Sequence, residues 1–186
     1  MSPAPRLPAP VLAAVGLGGN LGDAAATLRE ALQALDELPD TRVLRSSLLY
    51  RTPAWGRTDQ PDFINAAALL RTTLDARSLL DGLLGIERRF GRDRGAAGEE
   101  AKWGPRTLDL DLLLFGEATI DEAGLRIPHP HLHERAFVLV PLAGIAPRML
   151  VPGRGPVEAL LAGMDASACV PLASASPSRG PDAQPA

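Results

Sequence analysis

The chain has 186 residues, of which 46% are hydrophobic and 22% are charged, and its formal net charge is −3. These values indicate one soluble domain with a single hydrophobic core. The negative charge and the few aromatic residues, two Trp, one Tyr and four Phe, exclude a broad basic or stacking surface for nucleic acid. The single cysteine, Cys169, excludes an internal disulfide framework and favours a reducing compartment.

The first half of the chain alternates strand and helix patterns. Residues 1–10 are rich in proline and predict a flexible N-terminus, and the apolar residues 11–18 predict a buried strand. Asp23 is placed to cap a helix that reaches about residue 38. Residues 41–51 and 63–72 predict two strands joined by a polar connection that contains proline.

The second half begins with a helix from Asp75, its predicted N-cap, to about residue 90. A glycine-rich loop follows, and a strand with Asp109 and Asp111 ends it. Residues 136–145 predict a further helix, and residues 157–161 a short last one. The order β-α-β-β-α-β predicts the α+β class, as a ferredoxin-like sandwich with an additional C-terminal helix.

The tail and the surroundings of the domain also follow from composition. Residues 164–186 consist largely of Ala, Ser and Pro without periodicity, so we expect a disordered tail after a domain formed by residues 11–163. The apolar run near the N-terminus is too short to span a bilayer. We therefore expect a cytoplasmic monomer without a membrane partner.

The most informative stretch is the strand that carries two aspartates. Asp109 and Asp111 point to one face, and the leucines at 108, 110, 112 and 114 point to the other, which is the core face. Two like charges roughly 7 Å apart on one strand face repel each other, and a multivalent cation would remove that cost. Hard oxygen ligands suit Mg²⁺ or Mn²⁺. The alternative is a half-exposed strand whose acidic face lies in water.

Positive charge is concentrated beside this pair. Residues 88–106 carry six basic and three acidic side chains, a local charge of +3 in a chain of −3. The guanidinium group is a planar fork that matches phosphate oxygens, so the segment predicts a site for a polyphosphate chelated to a cation. The alternative, a solvated helix end, explains Arg88 and Arg89 well but Arg106 poorly.

Two further motifs have simpler interpretations than they first suggest. The glycine-rich residues 16–22 resemble a dinucleotide fingerprint, but the third glycine falls one residue late, which favours a tight turn. His129, His131 and His133 alternate as zinc ligands on a strand would, but two prolines interrupt that strand. We expect a loop in which one histidine faces phosphates.

Several motifs in their joint order resemble one family. They are Trp-Gly-Pro-Arg-Thr-Leu-Asp-Leu-Asp at residues 103–111, together with residues 16–23, 50–53, 59–66, 91–94, 128–130 and 135–137. Over residues 11–147 the chain resembles the 6-hydroxymethyl-7,8-dihydropterin pyrophosphokinases of folate biosynthesis. The sequence departs from that family at Gly19, where Ser is usual, at Phe63, where Tyr is common, and at Leu84, where Gln is frequent.

The resemblance implies a ferredoxin-like enzyme that transfers the β,γ-diphosphoryl unit of ATP to the hydroxymethyl oxygen of the pterin and releases AMP. It implies two Mg²⁺ ions held by Asp109 and Asp111, with Arg92 and Arg94 as further catalytic residues. ATP and the pterin are the implied partners. The residues implied to bind ATP are Glu87, Arg92, Arg94, Trp103, Arg106, His129 and Arg135.

The pterin is a flat polar heterocycle, which requires aromatic faces and an amide that matches its edge. Phe63 and Phe137 fit the stacking positions and Asn65 fits the amide, although packing in the core is the alternative for either ring judged singly. A buried Asn65 must find a polar ligand or a backbone partner. The residues implied to bind the pterin are Thr52, Ala54, Trp55, Phe63, Asn65, Trp103 and Phe137.

Two other functions remain open from the sequence. One is a different metal-dependent phosphoryl enzyme, such as a nucleotidyl transferase or a phosphodiesterase, that uses the same aspartates. The other is a non-catalytic nucleotide- or pterin-binding module in which the acidic and basic side chains pair with each other. Pterin-dependent formation of AMP and a pterin diphosphate distinguishes the pyrophosphokinase from both.

Overall fold

The computed structural model describes residues 9–54, 59–92 and 104–173. The strands are β1 (Val11–Gly19), β2 (Thr41–Ser46), β3 (Tyr50–Thr52), β4 (Phe63–Thr72), β5 (Asp109–Phe115), β6 (Ile120–Glu122), β7 (Leu125–Ile127), β8 (Leu150–Val151), β9 (Gly155–Pro156) and β10 (Val170–Pro171). The helices are α1 (Ala24–Asp36), α2 (Ala76–Arg89), α3 (Ala136–Ile145) and α4 (Val157–Ala162).

The described residues form one six-stranded antiparallel sheet in the order β10-β3-β4-β1-β5, with β2 also paired to β4. Two short hairpins, β6-β7 and β8-β9, lie outside it. The odd-numbered side chains of β1 lie on the face of the sheet that packs against α1 and α2. The opposite face of the sheet packs against α3 and α4. This arrangement confirms the α+β, ferredoxin-like prediction.

The local predictions for the helices are confirmed. The backbone N–H of Ala26 donates to Asp23 Oδ1 at 2.9 Å, and that of Ser78 donates to Asp75 Oδ1 at 2.8 Å, so both aspartates cap helices as expected. Helix α3 occupies the predicted residues, and α4 begins at the predicted residue, Val157.

The single strand predicted for residues 41–51 is wrong, because the chain forms β2 and β3 with a break between them. The break lies at Ser47, whose side chain takes part in the hydrogen bonding to β4. Its N–H donates to the Ala67 carbonyl at 2.9 Å, and its Oγ accepts the Ala67 N–H at 2.9 Å. The hydroxyl thus replaces a backbone carbonyl and lets the chain turn.

The predicted leucine face of β5 is correct for Leu108, Leu110 and Leu112 and wrong for Leu114. The register between β1 and β5 shifts where Ala14 pairs with Leu114 and Val15 pairs with Leu112. The extra residue at this bulge turns Leu114 to the α3 side of the sheet.

The tail predicted from residue 164 is wrong for residues 164–173. Strand β10 pairs with β3, and the Leu172 N–H donates to the Leu49 carbonyl at 2.8 Å. Leu172 also packs against the core. The open edge of β3 explains why these residues are ordered. A strand of two residues can form by pairing with the free N–H and C=O groups of such an edge, without an apolar pattern in its own sequence. Residues 1–8 and 174–186 of the predicted termini lie outside the described residues.

Candidate active site

A cleft opens between the sheet and α3, and glycines of β1 form its floor. Gly18 pairs with Asn65 on one side and with Asp109 on the other. Gly16 stands in the same way between Ala67 and Asp111. A Cβ at Gly18 would lie 3.0 Å from Asn65 Oδ1. The missing side chains therefore leave an open channel between an amide wall on β4 and an acidic wall on β5.

The acidic wall is compensated by arginines. Asp109, with 16% of its side chain exposed, contacts the guanidinium of Arg92 through Oδ1. Its Oδ2 lies 3.3 Å from Arg106 Nε, which is an ion-pair distance without hydrogen-bond geometry. Asp111 lines the cleft together with Asp109. The alternative of a half-exposed strand whose acidic face lies in water is therefore wrong for Asp109.

The buried Arg135 faces the same carboxylates from the residue before α3. It is only 6% exposed. Burial lowers its pKa from the ordinary value, and the charges of Asp111 and Asp109 oppose that shift. An arginine stays protonated under these conditions. Three arginines, Arg92, Arg106 and Arg135, therefore place positive charge beside the aspartates.

The amide wall consists of the residues expected to bind a flat polar ring. Asn65 Nδ2 donates to Thr52 Oγ1 at 2.7 Å, and both residues are buried. Phe63 and Phe137 line the cleft, and among the described residues neither ring belongs to either core cluster. The cleft lining favours a role in stacking for both rings, and Phe63, at 7% exposed, is also one of the buried hydrophobic side chains. Ala54 is buried just beyond Thr52.

Arginine side chains also touch both rings. Arg106 Cζ lies 5.0 Å from the centroid of the Phe63 ring, and Arg135 Cζ lies 5.7 Å from that of Phe137. A guanidinium over an aromatic face is attracted by the ring quadrupole. Arg106 thus contacts both walls of the cleft, since its Nε also pairs with Asp109.

His129 lies near the charged wall in an irregular loop, as predicted. Burial lowers its pKa from 6.5 to about 4, and the positive charge of Arg135 adds to the effect. Its Nδ1 accepts the His131 N–H at 3.3 Å, so the neutral ring carries its proton on Nε2. The other two histidines lie 3.0 and 3.3 Å from the carboxylate of Glu134.

Among the predicted ATP ligands that the structure describes, Glu87 is the most deeply buried. It is 1% exposed, its Oε1 accepts the Leu110 N–H at 2.7 Å, and Arg92 Nη1 lies 3.3 Å from the same oxygen. Of the predicted ATP ligands that the structure describes, Arg106 and Arg135 line the cleft, whereas Glu87, Arg92 and His129 do not. Three predicted residues, Arg94, Trp55 and Trp103, lie outside the described residues, and their roles stay predictions.

Sequence reasoning missed Asn20, which ties three segments together. Its Nδ2 donates to Gln60 Oε1 and to the Pro61 carbonyl, both at 3.1 Å, and its Oδ1 accepts the Arg106 N–H at 2.8 Å. The neighbouring Gly19 allows this approach, because a Cβ there would lie 2.4 Å from the Thr107 carbonyl oxygen. The sequence did offer one indication of this role, because Asn20 is a polar residue directly after a buried strand.

Comparisons with known proteins agree with this geometry. Residues 14–147 match the profile described as 7,8-dihydro-6-hydroxymethylpterin-pyrophosphokinase. A relative from Methylorubrum extorquens, a 2-amino-4-hydroxy-6-hydroxymethyldihydropteridine pyrophosphokinase, is 46% identical over 146 residues, which cover 78% of this chain and 89% of the relative. A Pseudomonas aeruginosa protein of the same name is 45% identical over 148 residues, covering 80% and 88% of the two chains.

Solved structures show the same fold at lower identity. An HPPK-DHPS in complex with substrates aligns with a TM-score of 0.64 at 15% identity, and the Plasmodium falciparum HPPK-DHPS A437G with pteroate aligns with 0.63 at 15%. Each alignment covers 83% of this chain and 43% of the solved chain, so the protein spans less than half the length of those chains. None of the helices described here is long and apolar enough to be a membrane span.

Proposed function

The chain belongs to the 7,8-dihydro-6-hydroxymethylpterin-pyrophosphokinase family, whose reaction is pyrophosphoryl transfer to 6-hydroxymethyldihydropterin in folate biosynthesis, and we propose that this reaction takes place in the cleft between the sheet and α3. The pyrophosphoryl group comes from ATP and the other product is AMP. One observation carries the proposal: a single cleft is lined by two aspartates and two arginines together with two aromatic rings and an amide, namely Asp109, Asp111, Arg106, Arg135, Phe63, Phe137 and Asn65.

The acidic wall is proposed to hold the triphosphate with two Mg²⁺ ions. Asp109 and Asp111 supply two hard carboxylate oxygen donors on one strand face, and Mg²⁺ is commonly held by one or two carboxylates together with substrate phosphates. The donor set therefore fits the cation. Bound there, the ions would supply positive charge that offsets the negative charge of the phosphates.

The arginines supply charge that the protein itself carries. Arg92, Arg106 and Arg135 surround the aspartates, and we propose that they turn to the phosphates once ATP arrives. An arginine in such a position can contribute roughly a thousandfold in rate. The neutral His129 can donate from Nε2 to a phosphate oxygen. Arg94 and Trp103 are proposed to contact ATP from the segment outside the described residues.

The amide wall is proposed to hold the pterin. Phe63 and Phe137 offer faces for stacking, and Asn65, whose Nδ2 is fixed by Thr52, presents its Oδ1 toward the floor at Gly18. Ala54, Trp55 and Trp103 are proposed to complete this pocket. In-line attack requires the hydroxymethyl oxygen about 3 Å from the β-phosphorus, so the main contribution of the two walls is positioning. That the protein acts as a cytoplasmic monomer stays a prediction.

Product analysis tests the proposal. The chain and an Asp109→Asn/Asp111→Asn variant are incubated with ATP, Mg²⁺ and 6-hydroxymethyl-7,8-dihydropterin, with a parallel reaction in EDTA. We expect AMP and a pterin diphosphate in equal amounts from the unmodified chain, and neither product from the variant or with EDTA. Pterin-dependent ADP, or no product from a protein whose thermal melt shows it folded, would overturn the proposal.

A further inference from the structure

Glu87 has surroundings that a direct ligand of ATP does not need. It lies near the C-terminus of α2, where the helix dipole disfavours a negative charge, and it is 1% exposed. A buried carboxylate is retained only where specific partners compensate its lost hydration. Its contacts therefore indicate what the residue does.

The first partner is the backbone between the two aspartates. Glu87 Oε1 accepts the N–H of Leu110 at 2.7 Å. Leu110 pairs with Leu17 of β1 on its other side, with Asp109 and Asp111 as its chain neighbours. Glu87 thus fixes β5 at the residue that sets the spacing of the two carboxylates.

The second partner is Arg92, which is attached to Glu87 twice. Its Nη1 lies 3.3 Å from Glu87 Oε1, and its backbone N–H donates to the Glu87 carbonyl at 3.0 Å. Gly91, at φ +79°, provides the left-handed turn that closes this helix end. The same guanidinium nitrogen donates to the Leu108 carbonyl at 3.0 Å and contacts Asp109.

Arg92 is therefore placed between two carboxylates with different surroundings. Asp109 lines the cleft, and its oxygens are the ones proposed to engage the cation. Glu87 is 1% exposed, does not line the cleft and contacts Arg92 from α2. We infer that Glu87 is a positioning residue that orients the Arg92 guanidinium and the backbone of β5, and not a ligand of ATP. This inference rests on the proposed role of Arg92 toward phosphate.

A double-mutant cycle tests the inference. Glu87→Gln keeps an acceptor for the Leu110 N–H but removes the charge that holds Arg92. Four proteins are compared: the unmodified chain, Glu87→Gln, Arg92→Ala and the double variant. We expect Glu87→Gln to lower kcat about tenfold in the unmodified background and to have almost no effect in the Arg92→Ala background, as coupled residues do. The KM for ATP and the dissociation constant of a non-hydrolysable ATP analogue should change less than about threefold.

Two controls keep the cycle falsifiable. Glu37→Gln is the matched substitution, because Glu37 forms an exposed ion pair with Arg89 at 3.7 Å, and it should leave all constants unchanged. If Glu87→Gln does not fold, Gly91→Ala perturbs Arg92 from outside: the added methyl meets open space but the φ of +79° is strained. It should lower kcat several-fold with little change in the KM for ATP.

Three outcomes would overturn the inference. One is weaker analogue binding in Glu87→Gln that adds fully to the effect of Arg92→Ala, as expected of a direct ligand. Another is a lower Tm with unchanged kcat, as expected of a purely structural residue. The third is unchanged kcat in Gly91→Ala where Glu87→Gln cannot be studied. Failure of the proposed function is a separate result, since the unmodified chain would then form no AMP.

Discussion

The two walls of the cleft are held in place by different forces. Both walls include strands of the sheet, and the polar contact within the amide wall is the neutral hydrogen bond from Asn65 on β4 to Thr52 on β3. The acidic wall is held by ion pairs from residues at helix ends and in loops, mainly Arg92 and Arg106. Under the proposed function, the amide wall can receive the pterin without breaking its hydrogen bond, whereas the acidic wall must exchange the ion pairs of Asp109 for phosphate and cation.

The substitution with the largest expected effect removes the residue that contacts both walls. Arg106→Ala takes away the ion pair with Asp109 and the contact with the Phe63 ring. We expect kcat/KM to fall about a thousandfold, with higher KM values for both substrates. Arg106→Lys keeps the charge without the planar fork and should recover part of the loss. Steady-state kinetics that show a change in one KM alone would contradict this role.

A change confined to the amide wall should affect one substrate. Asn65→Ala removes the amide and leaves the buried Thr52 hydroxyl without its partner. We expect the KM for the pterin to rise about 10- to 100-fold, equivalent to 1–3 kcal/mol for a lost buried hydrogen bond, while the KM for ATP stays within about twofold. Equal increases in both KM values would show that the walls are not independent.

Substitutions of the two glycines in the floor of the cleft should have a smaller effect, and one of them serves as a matched control for the other. A methyl group in Gly18→Ala would lie 3.0 Å from Asn65 Oδ1 and must displace the amide. In Gly16→Ala the nearest atom is a flexible Leu113 methyl at 3.4 Å, an ordinary contact. We expect Gly18→Ala to raise the KM for the pterin about fivefold, corresponding to roughly 1 kcal/mol, and Gly16→Ala to have less effect. The reverse order would exclude this view of the floor.

The smallest expected effect concerns stability near the charged wall. The pKa of His129 is about 4 in the folded protein and 6.5 in the unfolded chain, so only the unfolded chain binds a proton between these values. The contribution of His129 to the free energy of unfolding is therefore fully present above pH 6.5 and is lost as the pH drops toward 4. Tm should therefore decrease by about 3 °C per pH unit in this range relative to His129→Gln. A constant difference in Tm between the two proteins would contradict the assignment.

Sequence patterns predicted what depends on neighbouring residues. The facing of Asp109 and Asp111 follows from strand alternation, and the caps at Asp23 and Asp75 follow from side chains that reach three residues ahead. The contacts of Asn20 with Gln60 and Arg106 were not predictable, because they join segments 40 and 86 residues apart. Leu114 was misplaced because a bulge depends on the register between two strands.

The role in ATP binding that the family resemblance implies for Glu87 also depends on contacts between distant segments. Its position in the sequence agrees with the family motifs, but burial and the partners of its carboxylate depend on how α2 packs on β5. A sequence pattern shows that a charge is present near the site, whereas only the packed structure shows that this carboxylate is buried against Arg92 and the Leu110 N–H.

The strand β10 has a consequence for the handling of the protein. By pairing with Tyr50 and Arg51, it covers an edge of the main sheet whose N–H and C=O groups would otherwise be free to recruit a strand from another molecule. Affinity tags placed after residue 173 leave this pairing intact. A chain cut before residue 170 would expose the edge and, with it, a route to aggregation.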